Sequence, residues 1–521
     1  MDSKDYHLLE ANTPFEESSL WEINRSYYEE AGPSAWSEGV VPHNMTSNSN
    51  VGKTYARLII GFLKDLKTKG HIDDIVYIVE LGSGHGRLAY HILKHLDRML
   101  GMESQTLPPF CYVLTDIVES NLDFFQNHPQ LQQYFDNGTL DVSYFDGVVS
   151  SELYLRKQQK KIVKQSLQTP LIGLANYFFD SLPNQLFHIK NQQLFSCGIS
   201  LESNQEGPVA TSFTKIKNVK GTINVDEIAY DNMVDTISYS ILDNYRLAIN
   251  DSFLLMPRLG LKCIESLNDI SKNGLFLLSL DKGYSELSKL ENLPKPEVIQ
   301  HGSFSLYVNF HALIQYCEIC NGKSMFSDYS DYSMQLGCFL FVDNPETYRN
   351  TTEAHHHYVN DFGPDDYNGL KKVFYRLADE LTLRELITVI RLSHYDSAQF
   401  IKLLPSIKKH LVSLNITDRK RLRQILVEVE HFFFNINESS NVSYEIGGLL
   451  YDMAFYQDSL DVFDNYTLSF GESADIFYNK ILCYYQLRRD AEFTSTLKEA
   501  KKSFPSYQKF LHLEQLDLNA K

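Results

Sequence analysis

The sequence has no run of about 18 consecutive apolar residues, which argues against a membrane-spanning helix. It also lacks an excess of positive charge: 48 Lys and Arg face 66 Asp and Glu, a net charge of −18. Phosphate groups and anionic membranes are bound by dense cationic faces, so we expect neither nucleic acid nor a membrane as a partner. Cysteine is scarce as well: the seven scattered residues are odd in number and fit reduced thiols.

The first residues lack the features of a targeting segment. Residues 1–17 are polar and acidic, without the apolar centre of a signal peptide or the Arg-rich helix of a transit peptide. Together with the reduced thiols, this predicts a cytoplasmic protein. A length of 521 residues predicts several domains.

Between residues 51 and 343 the sequence alternates strands and helices. Continuous apolar stretches, typical of strands buried on both faces, occur at 75–79, 111–114, 171–175 and 274–280. This pattern predicts an α/β, Rossmann-type parallel sheet with helices on both faces. We expect residues 1–50 to form a segment that contributes to the ligand side of this domain.

Beyond residue 343 the pattern becomes helical. Residues 344–366 are polar and predict a linker, 367–434 predict a helical domain, and 442–521 predict an all-α helical-repeat domain. A shift of 34 residues places Tyr451 on Tyr485 and Phe470 on Phe504, which is the tetratricopeptide spacing. An ordinary helical bundle with a coincidental match is the alternative.

The segment at residues 80–86 carries the chemistry. It follows a buried strand, precedes a helix, and consists of Glu80, Leu81, Gly82, Ser83, Gly84, His85 and Gly86. The glycines let the backbone turn sharply and approach a ligand, and free N–H groups at the helix start could meet a carboxylate. An acidic residue directly before the loop suits a cationic ligand.

Two further carboxylates follow the next two strands. Asp116 ends the second strand, where a carboxylate can accept both hydroxyls of a ribose, and Asp146 on the third strand's loop could meet an adenine amino group. Together, the glycine loop, Asp116 and Asp146 predict a site for S-adenosylmethionine. A dinucleotide site fits less well, because Asp116 lies 32 residues after Gly84 and the dinucleotide pattern expects about 20.

The sequence resembles the MidA family of S-adenosylmethionine-dependent methyltransferases, which includes a mitochondrial complex I assembly factor that methylates an arginine. The resemblance covers residues 27–339 in five places: the polar entry at 41–47, the glycine loop at 80–86, residues 175–183 (the family's A-N-E-x-x-D-A-L-P), residues 281–284 (its D-Y-G-Y), and Gly302 with residues 308–310. It implies a class I methyltransferase sheet and places Asn176 and Asp180 near the methyl group as candidate catalytic residues. Capping of the turn after the strand is an equally good role for both.

The sequence departs from the family pattern at three of these positions. Tyr177 stands where the family has Glu, Lys282 where it has Tyr, and Asn309 where it has Asp. A Glu beside the methyl donor could hold a guanidinium in a bidentate grip, which Tyr cannot do.

The sequence therefore predicts a methyltransferase acting on a protein or peptide side-chain nitrogen, with a protein partner on the C-terminal helices. The alternative is a binding or assembly module that keeps the methyltransferase fold. Two other patterns carry little weight. The lone Cys317/Cys320 pair lacks two further zinc ligands, and histidines 355–357 are expected in a solvent-exposed loop.

Overall fold

The computed structural model describes residues 6–37, 45–104, 106–204, 218–229, 235–296, 299–300, 304–329, 334–436, 438 and 442–513. The chain divides into two compact units, Met1–Asn368 and Gly369–Lys521. Within these described ranges, no helix combines the length and the apolarity needed to cross a membrane.

The first unit mixes strands and helices. Its strands are β1 (His7–Pro14), β2 (Val76–Glu80), β3 (Phe110–Asp116), β4 (Leu140–Tyr144), β5 (Leu153–Leu155), β6 (Lys160–Ile162), β7 (Leu171–Asn176), β8 (Gln185–Lys190), β9 (Gln193–Ser203), β10 (Val219–Ala229), β11 (Asp251–Met256), β12 (Leu275–Lys282), β13 (Ile299–Gln300), β14 (Phe304–Ser305), β15 (Lys323–Met325) and β16 (Met334–Phe341). Its helices are α1 (Ser19–Ala31), α2 (Ser34–Ser37), α3 (Ser49–Thr68), α4 (Arg87–Leu100), α5 (Glu119–Asn127), α6 (Gln132–Asp136), α7 (Thr236–Ala248), α8 (Arg258–Ile270), α9 (Phe310–Ile319), α10 (Arg349–His355) and α11 (Pro364–Leu377), the last of which crosses the division.

Seven strands form the central sheet, in the order β15-β16-β12-β7-β2-β3-β4. The pairs β12–β7, β7–β2, β2–β3 and β3–β4 are parallel, whereas β16 is antiparallel to both of its neighbours. Numbered along the chain within this sheet, the order is 3-2-1-4-5-7-6. This order, with one reversed strand, is that of the class I methyltransferase sheet, and the predicted fold class is confirmed.

Helices cover both faces of this sheet, as the buried strands require. Alternate residues of β12 point to opposite faces: Leu277 belongs to the apolar cluster that includes Tyr245 of α7 and Leu267 of α8, while Phe276 stacks on Phe62 of α3 with ring centroids 4.7 Å apart. From β2 the chain first adds strands on one side (β3, β4) and then on the other (β7, β12), so the strand order reverses between β2 and β7. In open parallel sheets, ligands bind outside the carboxyl ends of the strands at such a point.

A second, antiparallel sheet was not predicted. Its order is β1-β9-β8-β11, and β10 pairs with β9 as well. Strand β1 pairs with β9 from His7↔Ser203 to Pro14↔Gly198, so the N-terminal segment is part of this sheet. Trp21 of α1 packs beneath it with Phe15, Leu186 and Ile199.

Residues 344–366, predicted as a linker, are instead largely helical and packed on α3. Asp65 of α3 is buried and accepts hydrogen bonds from the backbone N–H groups of Asn350 and Thr351 at 3.1 and 2.8 Å. The side chains of the same two residues donate to it at 2.8 and 2.7 Å. The polar sequence that suggested a linker therefore supplies the hydrogen-bond donors for one buried carboxylate.

The expected solvent-exposed loop at histidines 355–357 was wrong in its secondary structure and in the exposure of His355. Helix α10 continues into a π-helical turn, His356–Asn360, rather than into a loop. His355 is buried, and burial lowers its pKa to about 4, while His356 and His357 stay exposed. One side of this helix packs inward, which a polar sequence alone does not indicate.

The described residues of the second unit form helices joined by short turns, without a strand among them. After α11 it contains α12 (Leu383–Leu392), α13 (Ser397–His410), α14 (Ile416–Phe432), α15 (Val442–Asp452), α16 (Tyr456–Phe470), α17 (Ala474–Gln486) and α18 (Asp490–Ser503). This confirms the predicted all-α region.

The turns of the last four helices recur after 34 residues. Ala454 and Arg488 both adopt left-handed backbone conformations, with φ of 66° and 57°. A hydrogen bond ends the preceding helix in each turn: Phe455 N–H donates to Leu450 O at 2.9 Å in the first, and Arg489 N–H donates to Tyr484 O at 3.0 Å in the second. The two helix pairs thus share one turn geometry, and their assignment as tetratricopeptide-like stays a prediction.

Candidate functional site

The glycine loop joins β2 to α4 through a backbone conformation that residues with a side chain rarely adopt. The φ values of Gly82, Gly84 and Gly86 are 59°, 58° and 74°, a region that costs an L-residue about 1–2 kcal/mol. A Cβ atom on Gly84 would also lie 2.8 Å from the ring of Trp36. The loop therefore needs glycine both for its turn and for the close approach of that ring.

Hydrogen bonds across the sheet brace this loop. Ser83 N–H donates to Thr115 O at 2.8 Å, and Thr115 N–H donates back to Ser83 Oγ at 3.0 Å. Gly84 N–H donates to Asp116 Oδ2 at 2.9 Å, and Gly86 N–H donates to Ser83 O at 2.9 Å. Most of the loop amides expected to be free for a ligand are thus used within the protein. Among the described residues, the N–H of Gly82 has no partner.

Asp116 lies at the end of β3 and is almost fully buried. Its Oδ1 accepts from Val118 N–H at 2.9 Å, while Oδ2 takes Gly84 N–H. Burial raises the pKa of Asp116 to about 6, although both N–H groups act to lower it. Each carboxylate oxygen can accept a second hydrogen bond, so the group remains able to receive ribose hydroxyls.

Glu80 ends β2 and is also buried. Its Oε2 accepts a hydrogen bond from the Tyr112 hydroxyl at 2.6 Å. Burial raises the pKa of Glu80 to about 8, helped by the charge of Asp116 and opposed by the Tyr112 hydroxyl. A positive charge placed in the cavity would favour the ionised form of this carboxyl.

Asp146 follows β4, as predicted, but a cation already contacts it. Arg25 of α1 binds its Oδ2 through Nη1 at 2.5 Å, and Val148 N–H donates to Oδ1 at 2.9 Å. An adenine amino group would have to share the carboxylate with these two donors. The adenine contact stays a prediction.

Asn176 and Tyr177 lie at the end of β7. The Asn176 Oδ1 accepts from the Tyr55 hydroxyl at 2.5 Å, and its Nδ2 donates to Thr46 O at 3.1 Å. Asn176 thus ties the segment around Thr46 to the sheet. Tyr177 has a φ of 47° and is half-buried in the cavity wall.

Asp180 belongs to a buried acidic pair. Its Oδ1 has no hydrogen-bond partner among the described residues, and neither has Oδ2 of Asp281. Burial raises the pKa of Asp180 to about 7, opposed by the charge of Lys282. Burial, and then the charge of Asp180, hold the pKa of Asp281 well above its usual range.

One cavity of about 460 Å³ brings these groups together at the strand ends. It is lined by eight of the nine predicted site residues: Glu80, Gly82, Ser83, Gly84, Asp116, Asp146, Asn176 and Asp180. The ninth, Gly86, caps α4 and packs beside Phe125 instead.

The sequence did not predict several lining residues, among them Arg25, Phe178 and Phe304; nor did it assign roles to Trp21, Tyr28 and Trp36. Three of these aromatic residues cluster on the N-terminal side, where only a composition rich in Trp and Tyr could have indicated them. Of the polar entry segment at 41–47, Thr46 and Ser47 line the cavity, while residues 41–44 and Gly302 lie outside the described residues.

The cavity is acidic. Five carboxyl groups line it (Glu22, Glu80, Asp116, Asp146 and Asp180), against the two cations Arg25 and Lys282. Such a balance favours cationic over anionic ligands. Among the described residues, no group of three or more His, Cys, Asp and Glu could hold a metal ion.

No family model and no curated protein matches the sequence. Several solved structures resemble the fold at low identity, among them the following three. An uncharacterised ACR, COG1565 superfamily protein from Burkholderia thailandensis is 11% identical over 65% of this chain and 90% of its own, with a TM-score of 0.39. A COG1565 superfamily member from the same organism, bound to S-adenosyl-homocysteine, is 10% identical with the same coverage and a TM-score of 0.41. The CMeT domain of the citrinin polyketide synthase is 11% identical over 51% of this chain and 46% of its own, with a TM-score of 0.24. These similarities are too distant to bear on activity.

Proposed function

We propose that this protein is an S-adenosylmethionine-dependent methyltransferase that acts on a nitrogen of a basic protein side chain. The observation that carries the proposal is the cavity itself. At the point where strand order reverses, it joins the glycine loop, Asp116 and the acidic pair around Asp180. A volume of about 460 Å³ lies within the range of small-molecule sites, roughly 300–1,000 Å³.

The residues of the cavity fit this cofactor. Gly82 offers an unpartnered N–H and no side chain, which suits a carboxylate tail. Glu80 lies beside it as a counter-charge for an ammonium or sulfonium group, and Asp116 supplies acceptors for ribose hydroxyls. The bound cofactor would supply an electrophilic methyl group.

The protein's own contribution to the reaction would be placement and proton acceptance. Transfer to nitrogen depends mainly on holding the acceptor in line with the methyl group. Asp180, buried with an unpartnered Oδ1 and a pKa near 7, can take the proton that the acceptor nitrogen releases. Tyr177 and Phe178 form the adjoining wall, and the acidic lining favours a basic acceptor.

The test has two readouts. Calorimetry with S-adenosylmethionine and S-adenosyl-homocysteine measures cofactor binding, and transfer of a tritiated methyl group to proteins of a cell lysate measures activity. Asp180→Asn should leave cofactor affinity within about twofold and slow transfer by about 10²-fold or more. Asp269→Asn removes a partly exposed carboxylate paired with Lys164, outside the cavity, and should change neither.

Two observations favour the binding-module alternative. Tyr177 provides no carboxylate for a guanidinium, and Asn176 uses its amide to hold Tyr55 and Thr46. Tight cofactor binding without any labelled acceptor would support that alternative. Absence of cofactor binding would overturn both.

A further inference from the structure

We propose that a groove between α12 and α14 of the second unit binds an acidic protein segment in an extended conformation. The groove has a volume of about 830 Å³. It lies wholly within residues 384–458, so the proposal is independent of the methyltransferase site.

The charge of the groove is uneven. On the α14 side, Arg423 binds Asp458 at 2.5 Å and Arg421 lies 3.7 Å from Asp418, so these cations are compensated. On the α12 side, Arg384 and Arg391 are exposed, and their guanidinium groups have no hydrogen bond or ion pair with any described residue. Glu428, the remaining carboxylate of the groove, has an interaction of its own. In a chain of net charge −18, two adjacent uncompensated guanidinium groups mark a site for anions.

The spacing of the two arginines defines the partner. Seven residues of helix place Arg384 and Arg391 on one face, about 10 Å apart along the axis. A polyproline-II segment rises about 3.1 Å per residue and presents every third side chain on one face, also about 9 Å apart. Carboxylates at every third position therefore match both guanidinium groups.

Three aliphatic side chains also line the groove. Ile387 is half-buried, Ile425 is 6% exposed and Val427 is 45% exposed. Apolar residues between the acidic positions of the segment would cover this surface. Contacts with these side chains would distinguish a peptide from a polyanion that binds by charge alone.

The experiment measures fluorescence anisotropy with the full-length protein at low salt. The probe is a labelled peptide of four Glu-Leu-Pro repeats, and its control replaces each Glu by Gln. The double variant Arg384→Glu/Arg391→Glu should weaken binding of the Glu peptide by about tenfold or more, and the Gln peptide should not bind.

Arg419→Glu/Lys420→Glu provides the matched control. Both residues are exposed on α14, outside the groove, and the pair makes the same change in net charge. This control should change the affinity by less than about twofold. The proposal is overturned if the Glu peptide does not bind, if both double variants weaken it equally, or if a uridine oligonucleotide binds the groove in its place.

Discussion

Asp116 holds Gly84 from the neighbouring strand: its Oδ2 accepts the glycine's backbone N–H at 2.9 Å across the ends of β2 and β3. The carboxylate that would bind a ribose is therefore the same group that fixes the loop beneath it. This one hydrogen bond would therefore couple the geometry of the loop to ligand binding.

Asp116→Asn should lower both stability and affinity. The amide cannot accept at both of its heavy atoms, so one N–H loses its acceptor at a cost of about 1–3 kcal/mol. Affinity for S-adenosyl-homocysteine should fall by about tenfold or more, because the ribose acceptor is lost as well. Thermal unfolding and calorimetry measure the two effects.

Asp141→Asn is the control for that change. Asp141 is equally buried and accepts from Val142, Lys157 and Gln158 N–H at 2.8, 2.9 and 3.0 Å, but it does not line the cavity. Its substitution should cost similar stability and leave affinity unchanged. Equal losses of affinity in both variants would contradict a direct role for Asp116.

Gly84→Ala should weaken cofactor binding as well as strain the backbone. The new Cβ would lie 2.8 Å from the Trp36 ring, at a φ of 58°. Gly138→Ala adds the same kind of strain at a φ of 78° with open space around it. Backbone strain should cost each variant about 1–2 kcal/mol of stability, and the contact with Trp36 should add to the loss in Gly84→Ala. Only Gly84→Ala should weaken cofactor binding in calorimetry. Unchanged affinity in Gly84→Ala would remove the loop from the site.

Stability should depend on pH through Glu80. Its folded pKa of about 8 lies above the ordinary 4.5, so the folded protein holds a proton that the unfolded chain releases between these values. The free energy of unfolding should therefore fall as pH rises from about 5 to 8. Asp116 and Asp180 act in the same direction. Glu80→Gln should reduce this slope in denaturant titrations, and an unchanged slope would argue against a protonated Glu80.

Gly447→Ala should destabilise the second unit. A Cβ there would lie 2.4 Å from the Phe463 ring, so α15 and α16 would have to separate, at a cost of about 1–3 kcal/mol. The neighbouring Gly448→Ala meets no atom within 4 Å and should stabilise the helix by up to about 1 kcal/mol. Circular dichroism melts of the two variants should shift in opposite directions; a shared direction would contradict the close packing.

The parts predictable from sequence are those with local signals. Strands such as β2 and β12 are buried on both faces and appear as continuous apolar stretches, and the glycine loop is defined by spacing alone. The ion pair between Arg25 and Asp146 joins residues 121 positions apart, and neither residue has a local pattern that indicates the other.

The second, antiparallel sheet was not predicted because its strands have no regular apolar pattern and some of them pair with distant segments. The residues of β8 and β9 alternate between buried and exposed only in part, and β1 finds its partner near residue 200. The prediction of a linker at residues 344–366 was wrong for a different reason. Polar residues are expected in linkers, yet here Asn350 and Thr351 satisfy a buried carboxylate.

The contact between Asp65 and the start of α10 determines where a fragment that contains only the first unit can end. A fragment ending at residue 343 would strip four donors from a buried carboxylate and uncover Phe62, whose ring stacks on Tyr348. Expression boundaries for the isolated first unit therefore belong at or beyond residue 368, where this compact unit ends.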